Sequence, residues 1–157
     1  MKRSTSRILT THTGSLPRSP KLQDLLLARE EQHLSDQDEF NAAVLLAVAD
    51  TVERQVEIGI DVVNDGEQSR SQYATYVKER LTGFEGERLV RSRPRLDDLD
   101  FPEYAEHRSH QSSTSMAQPL CTGPISWKDW AAVQQDIDTL KSSAEGTENE
   151  EVFMTSA

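Results

Sequence analysis

Asp65 and Glu67 stand where a short β-branched run, Ile60-Asp61-Val62-Val63, stops in polar residues, with Gly66 between them and Arg70 three residues beyond Glu67. Ligands of α/β sheets sit at the carboxyl ends of strands, so acids here are well placed for chemistry. Gly66 supplies the backbone freedom to turn the chain outward. Glu67 then has two readings, a pocket acid or a cap of the following helix. Arg70 opposes the dipole of that helix, which leaves a role in holding an anionic group beside that of a plain surface arginine. A second group, His12-Thr13-Gly14-Ser15, stands at the end of the β-prone run Ile8–Thr13, which Gly14-Ser15 breaks. Backbone N–H groups at Gly14-Ser15 suit a carboxylate or phosphate. His12 reads first as a hydrogen-bonded structural histidine and second as a catalytic one. His107 and His110 have the spacing of a metal pair, but no cysteine or carboxylate motif surrounds them, so solvated loop histidines are the simpler account.

The elements that must position these groups alternate. Ile8–Thr13 reads as a strand, and Pro20 opens a helix carrying Leu22, Leu25 and Leu26. Ser35 is the expected N-cap of a long second helix, with Asp38 in the capping-box position. Val44, Val48, Val52 and Val56 form its core stripe, and Gly59 ends it. After the Ile60 strand comes a helix over residues 71–81, closed by Gly83. Residues 119–125 read as a third strand, Trp127 to Leu140 as a third amphipathic helix, and Val152-Phe153-Met154-Thr155 as a fourth strand. The βα repeat predicts an α/β protein with parallel strands near residues 7–13, 60–65, 119–125 and 151–156.

Composition bounds the rest. The 157 residues suit one domain, read as 1–157, with a mobile insertion at 85–118 where arginines, aspartates, prolines and a serine cluster replace apolar periodicity. A net charge of −10 argues against nucleic acid or an anionic membrane surface as partner. The single cysteine, Cys121, excludes an internal disulfide and fits a reducing compartment. With no apolar run near the ~18 residues of a membrane span and no signal-peptide core, the expectation is a cytoplasmic protein.

Thr11-His12-Thr13-Gly14-Ser15-Leu16-Pro17-Arg18, the stretch from Gln55 to Glu67, and Cys121-Thr122-Gly123-Pro124-Ile125 occur in this order. Together they resemble the opening of the catalytic barrel of the cobalamin-independent methionine synthase family and its short stand-alone relatives. The resemblance implies a (β/α)8 TIM barrel and a methyltransferase that moves a methyl group from 5-methyltetrahydrofolate to homocysteine. It also implies that Thr13, Gly14, Ser15 and Glu67 hold the amino-acid substrate, with His12, Asp65 and Arg70 as secondary candidates. Backbone donors at Gly14-Ser15 suit the substrate carboxylate, and Glu67 suits its ammonium. The family's zinc activates the homocysteine thiol through a His-x-Cys pair, a glutamate and a further cysteine. No His-x-Cys is present, and Cys121 matches none of those ligands, so no metal ligand and no catalytic residue is assigned.

Closing such a barrel takes at least about 200 residues. The expectation is therefore about the first four βα units, half a barrel, inactive alone and completed by a complementary C-terminal half or by self-association. The alternatives are a non-catalytic binding module, or a related transferase acting on another thiol.

Overall fold

The computed structural model describes residues 2–89, 96–111 and 117–155. Helix α1 (Pro20–Glu30) begins where expected: Ser19 caps it by accepting from the Leu22 N–H, and Pro20 occupies the first turn. Helix α2 (Gln37–Glu57) is capped by Asp36 rather than Ser35. The Asp36 carboxylate accepts from both the Asp38 and Glu39 N–H groups, at 2.9 and 3.0 Å. A charged acceptor at the positive end of the helix wins over the neighbouring hydroxyl. Phe40, Val44, Val48 and Val52 recur every four residues, and all four are buried. They pack with Leu22 and Leu26 of α1, Val63, and Leu140 of the last helix into one core. Each such side chain contributes about 1.5–3 kcal/mol by leaving water. Gly59 ends α2 with a φ of 83°, a left-handed turn that glycine makes at little cost.

That turn feeds strand β1 (Val62–Val63), which lies between two parallel neighbours. On one side Thr11 bridges Val62, and on the other β4 (Glu151–Val152) aligns with Val62 and Val63. The order in space is therefore the Thr11 segment, β1, β4. Helix α3 (Tyr73–Arg80) follows β1, and α6 (Trp130–Ala144) precedes β4. Asp129 caps α6, so the helix starts after Trp127, which bridges Leu81 instead.

The expected third parallel strand is not part of this set. Strand β3 (Ala117–Leu120) runs antiparallel to β2 (Gly86–Leu89), with Gly86 opposite Leu120 and Glu87 opposite Pro119. The pairing extends beyond both strands: Thr122 N–H donates to Gly83 O at 2.7 Å, and Thr82 N–H to Ser126 O at 2.9 Å. Prolines explain the difference. Pro119 and Pro124 have no N–H to give a central ladder, and a two-stranded ribbon tolerates that gap. Gly83 allows the two arms to close, since a Cβ there would lie 2.7 Å from Gly123 O. Among the described residues the parallel set thus holds three members where four were expected. Within residues 85–118 the described part is regular: β2, α4 (Leu96–Asp100), α5 (Pro102–Gln111) and the start of β3.

Candidate functional site

Two loops meet at the carboxyl ends of the Thr11 segment and β1, and hydrogen bonds join them along their length. Leu16 N–H donates to Gly66 O at 2.9 Å. Asn64 donates its side-chain amide to His12 O at 2.6 Å, and Gln68 reaches Leu16 O and Pro17 O, both at 3.3 Å. Arg18 donates to the carbonyls of Glu67 and Arg70, at 2.8 and 2.7 Å. Burial pulls the Arg18 guanidinium below its ordinary pKa, while the nearby Glu67 carboxylate acts in the other direction.

The turn at residues 64–67 is built from its own side chains. Asn64 Oδ1 accepts from the Gly66 N–H at 2.8 Å, and Asp65 Oδ1 from the Glu67 N–H at 3.1 Å. Gly66 and Glu67 both have a φ of 56°. At Gly66 the space also demands glycine, because a Cβ would sit 2.8 Å from Thr51 Cγ2 and 3.1 Å from Leu16. Glu67 adopts the left-handed conformation without glycine's freedom, the kind of local strain that gathers at functional sites. It is not a helix cap: α3 begins six residues later, after Gln72.

The result brings Ser15 and Glu67 together. The Ser15 hydroxyl donates to Glu67 Oε2 at 2.5 Å, across 52 residues of chain. Thr155, just beyond β4, donates to the other oxygen, Oε1, at 3.3 Å. Thr13 is exposed and Gly14 half-buried beside this pair, with Gly14 in a left-handed turn at φ 104°. Around Glu67, which is half-buried, Asn64, Asp65, Gln68, Ser69 and Arg70 are all buried.

Asp65 and Arg70 lie behind the site. Arg70 Nη2 donates to Asp65 Oδ2 at 2.7 Å, with both side chains almost fully enclosed. Arg70 Nη1 donates to Thr155 O at 3.0 Å, and the guanidinium stacks 4.6 Å from the Tyr76 ring centre. A plain surface arginine is therefore the wrong description of Arg70: it is 3% exposed. His12 contributes its carbonyl to Asn64, and its Nε2 is buried without a partner among the described residues.

Arg18 and Thr155 carry contacts that sequence reasoning did not assign. Arg18 was within reach, as the one cation of the Gly14-Ser15 loop. Thr155 is a hydroxyl residue at the end of a strand, a signal that gains meaning only once β4 is known to lie beside β1.

Among the described residues, no group of three or more His, Cys, Asp or Glu side chains is arranged to hold a metal ion. Cys121 is exposed in the ribbon, and the His110 side chain lies outside the described residues. These donors do not fit a zinc site. No described helix is long and apolar enough to cross a membrane.

Residues 8–149 match the family described as cobalamin-independent synthase, catalytic domain. The 5-methyltetrahydropteroyltriglutamate–homocysteine methyltransferase of Saccharophagus degradans is 31% identical over 146 residues, covering 81% of this chain and 18% of that protein. The enzyme of the same name from Shewanella oneidensis is 28% identical over 151 residues, covering 83% of this chain and 19% of that protein. A B12-independent methionine synthase from a Shewanella species, solved in complex with selenomethionine, superposes with a TM-score of 0.53 at 25% identity. That alignment covers 85% of this chain and 34% of the solved one. The chain spans about a fifth of the length of the curated relatives it matches, 18% and 19% for the two named. With the match running through both loops of the Ser15–Glu67 junction, the chain belongs to the cobalamin-independent methionine synthase family, within its catalytic domain.

Proposed function

We propose that the Ser15–Glu67 junction is the amino-acid pocket of a methyltransferase that makes methionine from homocysteine. The observation that carries this reading is the Ser15–Glu67 hydrogen bond at 2.5 Å, formed at the ends of neighbouring parallel segments with Glu67 held in a left-handed turn. The Glu67 carboxylate pairs with the substrate ammonium, and the Gly14-Ser15 backbone takes the carboxylate. The names of the relatives supply the reaction. The homocysteine sulfur loses its proton and forms the S–CH3 bond, while the N–CH3 bond of the 5-methyltetrahydropteroyltriglutamate donor breaks and that nitrogen gains a proton. The solved relative's selenomethionine is a close analogue of the product.

On this reading the Thr11 segment, β1 and β4 are opening strands of a (β/α)8 barrel, three rather than four. Zinc, where present in the complete barrel, lowers the pKa of the substrate thiol. The sequence has no His-x-Cys pair to hold it, so on this reading the chain binds the amino acid without turning it over. A complementary C-terminal half or self-association completes the barrel, while the amino-acid contacts lie within this chain, and the protein works in the cytoplasm.

The test is calorimetry of methionine with the full chain, wild type against Glu67→Gln. Losing the charge-assisted contact should weaken binding about 10–100-fold, the equivalent of about 1.5–3 kcal/mol. Melting should barely change, because the side chain is half-buried at the rim of the site. Equal affinities would remove Glu67 from the pocket.

A further inference from the structure

Glu67 is gripped from two sides. Ser15 donates to Oε2 from the first loop, and Thr155 donates to Oε1 from the end of β4. The two donors lie 52 and 88 residues away along the chain, so the three side chains meet only through the parallel set. A hydroxyl carries one proton. At Thr155 that proton points to Glu67, while the oxygen accepts from Arg70 Nη1 at 3.5 Å and the Thr155 carbonyl accepts from the same nitrogen at 3.0 Å. Arg70 is itself buried and pinned by Asp65 and the Tyr76 ring. Thr155 is thus held by a fixed group on one side and holds a half-buried carboxylate on the other.

We propose that Thr155 is a positioning residue for the amino-acid site: its hydroxyl sets the rotation of the Glu67 carboxylate, so that the free lone pairs face the ligand's ammonium group. The proposal rests on the amino-acid pocket assigned above. A glutamate has three side-chain torsions, and its terminal one is broad, so one hydroxyl on Oε2 alone leaves the carboxylate plane loosely defined. A second donor on Oε1 fixes that plane. The ordering then precedes ligand binding and no longer weakens it.

The experiment is methionine binding by calorimetry to the full chain, with Thr155→Val, Thr155→Ser, Glu67→Gln and the Thr155→Val/Glu67→Gln double variant. Valine keeps the shape and removes the donor, while serine keeps the donor. Thr155→Val is expected to weaken methionine binding by about threefold to tenfold, less than a full hydrogen bond to a charged group because the contact is 3.3 Å long and acts through Glu67. Thr155→Ser should bind within about twofold of wild type, a margin well inside one hydrogen bond. In the Glu67→Gln background the Thr155→Val penalty should disappear, because the residue acts through Glu67. The α-hydroxy analogue of methionine, which has no ammonium, should bind the wild type and Thr155→Val alike. Additive losses in the double variant, or failure of serine to rescue, would reduce Thr155 to ordinary packing and overturn the proposal. A wild-type chain that does not bind methionine would overturn the pocket itself and this inference with it, an outcome distinct from normal binding that is indifferent to Thr155.

Discussion

Arg70, beside the candidate site, is 3% exposed, whereas Leu96 at the start of α4 is 78% exposed, and this inversion separates two regions of the molecule. In the parallel body, several charged side chains are enclosed and matched: Arg70 with Asp65, Arg80 with Asp136 at 3.1 Å, and the half-buried Arg18 with two carbonyls. In the β2–β3 excursion and its helices, apolar side chains face solvent, among them Leu99, Phe101 and Ile125. There the backbone supplies the order. The antiparallel ladder and the close Gly83–Gly123 approach hold the ribbon with little help from burial. The lesson is that fixed geometry at the site takes paired charge as well as the apolar core beneath it, and Ser15 and Glu67 lie beside the buried Arg70–Asp65 pair.

The sharpest way to break this comparison is Arg70→Met. It keeps the bulk and leaves the Asp65 carboxylate buried without its cation, which should cost about 3–5 kcal/mol. Urea unfolding of the variant reads this directly. A loss below about 1 kcal/mol would mean that the pair is no more than a surface ion pair in effect.

A smaller effect is expected at the edge of the parallel body. The Arg7 guanidinium, aided by the Thr10 N–H at 2.7 Å, holds the Asp61 carboxyl well below the usual carboxylate range. A depressed carboxylate adds stability that is fully present above its unfolded pKa of about 3.9 and fades as pH falls below that value. Asp61→Asn should therefore be less stable than wild type at pH 7, with the difference closing in acid. Melting curves from neutral pH downward test the sign, and a gap that widens in acid would contradict it.

The smallest effect should come from the excursion. Phe101→Ser removes an exposed ring and should change unfolding stability by no more than about 0.5 kcal/mol. Methionine affinity should be unchanged. A large loss at Phe101 would show that the ring is covered in solution, and would end the contrast between the two regions.

Much of the parallel body was legible because its signals are local. The four-residue valine stripe, Pro20, Gly59 and Gly66 each state their own geometry, and each occupies the place expected of it. Glu67 was legible as an acid at a strand end, though not its left-handed backbone. The third strand was misread because residues 119–125 have strand-like composition, and composition carries no information about partner or direction. The prolines at 119 and 124 were the available warning. Arg70 was misjudged because a buried arginine depends on Asp65 and Tyr76 folding around it. Thr155 was legible only as a hydroxyl at a strand end, and its role depends on β4 lying beside β1.

The spacing of the site's contacts also sets when it can appear. Ser15, Arg18 and Thr155 reach Glu67 across 52, 49 and 88 residues. The helical hydrogen bonds of α2 span only four residues each and close within about a microsecond, whereas loop closures of this size come later and more slowly. On a ribosome adding residues in order, α2 forms long before Thr155 exists, and the grip on Glu67 from the second side waits for the residues after β4. A nascent chain stopped before residue 155 has the residues of the core and the Ser15 contact but lacks the second donor on Glu67.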